Sequence, residues 1–168
     1  MKTVGVVAGS FDPITKGHEW LIKEAFKLVD ELHVVVGSNP AKKYTFENKK
    51  RLELVESCVQ NLNIQKSSIH VHLNEKDLLI TFSKSIKATH IIRGVRSLID
   101  FNYETSLADI NRQIDSSIQT VYLVPPSELA TISSSTVKGL IGFNGWEEVA
   151  SNYVSNKVLA ELINLSNR

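Results

Sequence analysis

TVGVVAGSFDPITKGHEWLIKEAFKLVDELHVVVG, residues 3–37, decides the fold. It leads a β-branched apolar run (TVGVVA, 3–8) into a turn that holds two glycines, one proline and one acid, and leaves through a second apolar run (LHVVVG, 32–37). Between them, over 18–30, Leu21, Ile22, Ala25, Phe26 and Val29 recur at helical spacing. Strand, helix, strand is the predicted order, and such a unit makes its two strands parallel with a right-handed crossover. The pattern then repeats. SIHVHL (68–73), THIIRG (89–94) and TVYLVP (120–125) have the short, apolar character of strands covered on both faces, and 47–62, 77–87 and 98–115 carry helical period between them. The expected fold is α/β, a doubly wound five-stranded parallel sheet of Rossmann-like type. Beyond Ser133 the strand signal ends: helices are predicted over 134–142, 146–151 and 155–166, the last with Val158, Leu159, Leu162, Ile163 and Leu165 inward. With no internal repeat or linker, 1–168 reads as a single domain.

Nineteen basic and 18 acidic residues leave a formal net charge of +1, too little for a chain that grips nucleic acid through many phosphates. A small anion needs only local cations, and these stand at Lys42-Lys43, Lys49-Lys50-Arg51, Arg93 and Arg96. The single cysteine, Cys58, lies on the apolar stripe of a helical segment, so it reads as a small buried hydrophobe in a reducing compartment. Residues 1–17 lack the pattern of a secretory leader, and no run of 18 apolar residues occurs. A cytoplasmic protein without membrane contact is expected.

In sheets of this kind ligands gather at the carboxyl ends of the strands, where the chain order reverses. The turn after the first strand matches neither common phosphate loop: His18 follows Gly17 where a Lys-Ser/Thr pair would stand, and there is no G-x-G-x-x-G. Its residues still suit a phosphate. Gly9 clears space beside the backbone, Ser10 offers a hydroxyl, Asp12-Pro13 shapes the turn, Gly17 swings the chain into the helix, and His18 stands at the helix start ready to donate to a phosphoryl oxygen. The other strand-end loops bring Ser38 to Lys43, Asp77 and Leu78, Arg93-Gly94-Val95-Arg96, and 125–135. Two arginines flanking Gly94 suggest a fork for phosphate oxygens. In DFNYETSLADINR, Phe101, Leu107, Ala108 and Ile110 are expected inward; Glu104 then faces either the cleft or solvent. In ISSSTVK (132–138) one serine serves as a helix cap, and three suggest a second anion cradle. His33, His70, His72 and His90 read as structural, with no third ligand spaced for a zinc site, so no metal-ligating set is assigned. No nucleophile–base order stands out. The chemistry implied is phosphate positioning without a covalent intermediate.

GSFDPITKGH, NPAKK, DLL, IIRGVRSLIDFNYE, LADINR and ISSSTVK together resemble the bacterial phosphopantetheine adenylyltransferase family, in order and separation, across nearly the whole chain. The ending at His18 alone marks only the wider nucleotidyltransferase superfamily; R-G-x-R with F-x-Y-E and I-S-S-S narrow it. The resemblance implies transfer of the adenylyl group of ATP to 4′-phosphopantetheine, giving dephospho-coenzyme A and pyrophosphate with Mg²⁺ assistance. It implies coenzyme A as a possible feedback ligand and a homohexamer. By position, Ser10, Lys42, Leu79 and Arg93 are expected to hold phosphopantetheine. Ser10, Phe11, His18, Gly94, Val95, Arg96, Glu104, Leu129, Ala130, Thr131, Ile132, Ser133, Ser134 and Ser135 are expected to hold ATP. His18 would stabilise the transferring phosphoryl group, with Lys42 and Arg93 orienting the attacking phosphate. Three residues depart from the family pattern: Ala8 for a common proline, Lys16 for the usual asparagine, which adds a charge near the nucleotide, and Leu129 for a common aromatic. Two rival readings are a nucleotidyltransferase using CTP or nicotinamide mononucleotide, and a non-catalytic nucleotide-binding module.

Overall fold

The computed structural model describes residues 2–62, 64 and 68–167. Five parallel strands form one sheet: β1 (Val4–Gly9), β2 (Glu31–Gly37), β3 (Ile69–Asn74), β4 (His90–Gly94) and β5 (Gln119–Leu123). Their spatial order is β3-β2-β1-β4-β5, so the chain winds outward from β1 in one direction and then returns to wind in the other. The reversal falls between β1 and β4, where Val7 pairs with Ile92.

Alternation along the strands sorts the two cores. Val7, Leu32, Val34, Val36 and Ile92 face α1 (Lys16–Phe26) and α2 (Asn48–Asn61), whose Ile22, Ala25, Leu54 and Val55 are fully buried against them. Val4, Val6, Val35 and Ile91 face α3 (Leu79–Ser85), which contributes Ile80. The longest helix, α4 (Leu98–Ile114), follows β4; a single-turn α5 (Ser127–Ala130) and then α6 (Ser134–Leu140), α7 (Trp146–Ser151) and α8 (Asn156–Ser166) complete the order. Val137, Trp146, Ala150, Val158 and Leu162 carry these last helices onto the α1 side of the core. None of the helices is long and apolar enough to cross a membrane, among the described residues.

Two expectations change here. Only Ala108 of α4 is buried; Phe101 and Ile110, expected inward, are 42% and 52% exposed, with Leu98 and Ile99 above 80%. Even so, α4 sets the Phe101 ring edge-on against Tyr122 of β5, with centroids 5.6 Å apart, and turns Leu98, Ile99 and Tyr103 outward. Lys16, expected beside the nucleotide, sends its ammonium away to the Ser151 carbonyl at 3.1 Å, while its N–H donates to Tyr153 O at 2.8 Å. It ties the start of α1 to the last residue of α7 and to the turn before α8. Cys58 is buried, and burial, helped by Glu19, pushes its thiol pKa up to about 12, so it stays a packed, unreactive group. Near the other edge of the sheet, His33 shares a 2.8 Å hydrogen bond with His72 and another with Glu31.

Candidate active site

At the carboxyl ends of β1 and β4 a cleft of about 280 Å³ opens, as the strand reversal requires. The turn after β1 forms its floor. Phe11 adopts a left-handed backbone (φ 47°), and the Asp12–Pro13 peptide is cis. A Cβ at Gly9 would press on the Phe11 ring at 3.2 Å, so the space that glycine clears is filled by the ring. The Asp12 carboxylate is buried beneath the turn. It accepts from the N–H groups of Thr45 and Phe46 at 2.9 Å and from Lys138 Nζ at 3.0 Å, pinning the loop after β2 and helix α6 to one point.

His18 stands at the third position of α1. Its Nδ1 accepts the Thr15 N–H at 3.0 Å, the place a glutamate takes in a capping box. An Nδ1 that accepts leaves the proton on Nε2. The Phe11 ring meets the imidazole edge-on with centroids 5.0 Å apart. Burial first, then the charges of Arg96 and Arg93, hold the pKa of His18 down at about 4. The imidazole is therefore a neutral donor across the physiological range. Because its folded pKa lies below the unfolded value, the unfolded chain binds more protons between pH 6.5 and 4, and the stability contributed is lost as pH falls through that window.

Two arginines line the opposite wall. Arg93, at the end of β4, donates Nε and Nη2 to the two oxygens of Glu104 at 2.7 and 2.6 Å, and Nη1 to Ala8 O at 2.6 Å. Glu104 thus faces the cleft, and its carboxylate serves as the clamp that aims Arg93. Arg96 donates Nε to Asp100 at 3.0 Å and Nη1 to the Ile132 carbonyl at 3.3 Å, linking α4 to the loop after β5. In that loop Ser133 caps α6 by accepting the Thr136 N–H at 2.9 Å, and Ser134 donates to Pro13 O at 2.8 Å. One serine caps, as expected; a second fastens the loop to the first turn; Ser135 remains exposed.

Of the residues expected to hold ATP, Ser10, Phe11, His18, Gly94, Arg96, Glu104, Leu129, Ile132, Ser133, Ser134 and Ser135 line this cleft. Val95, Ala130 and Thr131 do not: Val95 is buried with its N–H on Leu123 O. Lys42 also lies outside the wall, on the exposed loop after β2 beside Lys43. Leu79 opens a second cavity of about 290 Å³, which shares Arg93 and Glu104 with the first and continues over Leu78, Ile91, Leu107 and Ala108. A third, of about 530 Å³, lies between Ser38–Pro40 and Glu75–Leu78. The sheet edge is thus divided into an inner polar cleft and two outer cavities. Thr15 and Trp20 line the cleft without having been singled out, and Leu21, read only as a core residue of the helix, lines it too; Thr15 had a signal in its helix-capping position three residues before His18.

The Cytidylyltransferase-like family model matches residues 6–140. The chain is 40% identical to the phosphopantetheine adenylyltransferase of Chromobacterium violaceum over 160 residues, 95% of both chains. It is 37% identical to that of Clostridium novyi over 162 residues, 96% of this chain and 95% of the relative. In three dimensions it resembles the nicotinic acid mononucleotide adenylyltransferase of Plasmodium falciparum with a TM-score of 0.75, covering 98% and 96% of the two chains at 20% identity, which speaks for the fold. The His18 turn, the Arg93–Glu104 clamp and the serine loop meet in one cleft on this fold, and with relatives this similar along the full length the chain belongs to the phosphopantetheine adenylyltransferase family.

Proposed function

We propose that this chain transfers the adenylyl group of ATP to 4′-phosphopantetheine, releasing pyrophosphate and forming dephospho-coenzyme A. The observation that carries the reading is the neutral His18, its Nε2–H available in a cleft whose other polar walls are Arg93, Arg96 and the serine loop. In the reaction an oxygen of the acceptor phosphate attacks the α-phosphorus of ATP, and the bond from that phosphorus to the oxygen bridging to the β-phosphate breaks, its electrons leaving with pyrophosphate. The nucleophile is already an anion, so no base is needed. What the protein must supply is alignment and donors for the charge that spreads over the phosphoryl oxygens. His18 supplies a donor there, and Arg93, aimed by Glu104, bridges the cleft and the second cavity.

That second cavity, apolar along Leu78, Leu79, Ile91, Leu107 and Ala108, suits the pantetheine arm, with its phosphate toward Arg93. Lys42, on its exposed loop, meets the same phosphate from outside. Among the described residues the carboxylate that lines the cleft, Glu104, is engaged by Arg93; outside the lining, Asp100 is bound to Arg96 and Asp12 to Lys138. Mg²⁺ accordingly enters as part of the nucleotide substrate, MgATP. Titration of each ligand separately checks the acceptor assignment. Lys42→Ala should weaken phosphopantetheine about 10-fold and ATP by less than about twofold; equal losses, or no binding of phosphopantetheine to the wild type, would contradict it.

The rival acceptor, nicotinamide mononucleotide, is disfavoured by this apolar second cavity. The outward residues of α4, Leu98, Ile99 and Tyr103, support assembly of copies, which the family resemblance puts at six. Light scattering should return a mass near six protomers, and a monomer mass would contradict the assembly. The free Cys58 suits the reducing cytoplasm as the site of action.

A further inference from the structure

Arg51 heads the fully buried side chains by volume, at 0% exposure, in the first turn of α2. Its guanidinium lies under the carboxyl ends of β1 and β2. Nη1 donates to the carbonyls of Ser10 at 2.5 Å and Gly37 at 2.8 Å; Nη2 donates to Ser38 Oγ at 2.6 Å and to Asn48 Oδ1. The Tyr44 ring covers it, with Cζ 4.0 Å from the centroid, and the buried Nε has no partner among the described residues.

Every acceptor in that list is neutral. Buried cations are ordinarily matched by a carboxylate, because removing a charge from water costs far more than neutral hydrogen bonds return. The nearby buried acid, Asp12, is committed to the Thr45 and Phe46 N–H groups and to Lys138. Burial draws the Arg51 pKa below its ordinary value, partly offset by Tyr44, Asp12 and Glu75, yet a guanidinium keeps its proton at any physiological pH. A positive charge without a directly bound counter-ion thus sits behind Ser10, which lines the central cleft, and Ser38, which lines the cavity beside it.

We infer that Arg51 is a specificity-determining positioning residue: held behind Ser10 and Ser38 without a carboxylate partner, it biases that edge of the cleft toward an acceptor that carries a phosphate, without touching it. The inference rests on the functional reading above and deepens it. The bound phosphate acts as the counter-ion that the fold omits, and the same guanidinium fixes the carbonyls of Ser10 and Gly37, so the edge is both charged and rigid.

Asn48 offers the test, because its Oδ1 already accepts from Arg51 and from Ser38 Oγ, the latter at 2.8 Å. Asn48→Asp places a carboxylate on the guanidinium with the same shape, at the first position of a helix, where an acid is favourable. Glu75, the partner of Asn48 Nδ2, is changed to Gln in the same variant to avoid a facing like charge. N48D/E75Q should unfold at a temperature equal to or above the wild type. Its KM for phosphopantetheine should rise about 10-fold, while the affinity for pantetheine, the same molecule without the phosphate, stays unchanged. An unchanged KM, or an equal loss for pantetheine and phosphopantetheine, would overturn the inference. A wild type that releases no pyrophosphate with phosphopantetheine overturns the functional reading itself, and is seen before any variant is made.

Discussion

His18→Ala is expected to lower turnover by about 10²- to 10³-fold while ATP affinity changes by less than about threefold, since one donor aimed at developing charge is worth that much. The separation of rate from binding follows from the geometry. With Nδ1 occupied by the Thr15 N–H, the ring is locked in one tautomer and one orientation, and Nε2–H is presented to the cleft before any ligand arrives. A neutral imidazole gains little from the ground-state phosphate and more as charge spreads in the transition state. Nitrogen NMR of the free protein should find His18 neutral and protonated on Nε2 from pH 7 down to about 5, consistent with its pKa of about 4. Equal losses in rate and ATP binding on substitution, or an Nδ1-protonated ring, would contradict the role.

Arg93→Ala should cost about 10²-fold in kcat/KM for phosphopantetheine, and it should also destabilise the fold. The Arg93–Glu104 pair is largely buried, with side chains 21% and 11% exposed, so removing the cation strands a carboxylate. The expected loss is about 2 kcal/mol, seen as a lower unfolding temperature. Arg93→Met combined with Glu104→Gln removes both charges and should recover most of that stability without recovering turnover. Recovery of turnover in the double variant would show that Arg93 acts only through the fold.

Much of the fold is legible in residues 3–37, because a period of two and a period of 3.6 leave different marks, and every strand lies within two residues of its expected bounds. α5 left no such mark: four residues after Pro126 make one turn, too short for a period. The face of α4 was read only in part: Phe101 does meet its own sheet, edge-on at Tyr122 of β5, and Ile110 borders the cavity over Leu79, yet both stay partly exposed because a helix at the rim of the sheet covers one flank of each and leaves the other open. Lys16 shows how far a long side chain can reach from its backbone position. Of the ATP set, Leu129 and Ile132 to Ser135 line the cleft, while Ala130 and Thr131 fall outside the lining because a helical turn points some residues away. Arg51 was legible only in part. Read with Lys49 and Lys50 it belongs to a charged run, yet it stands three residues before Leu54 and seven before Cys58, on the buried stripe of α2. That spacing marks it as the one cation of the run that enters the core, although which carbonyls it meets depends on β1 and β2, far away in sequence.

The most direct measurement is pyrophosphate release from MgATP with 4′-phosphopantetheine as acceptor, run beside CTP as donor and nicotinamide mononucleotide as acceptor. Release with ATP and phosphopantetheine alone is the predicted result. Release with nicotinamide mononucleotide instead, or ATP binding without release, would contradict the account.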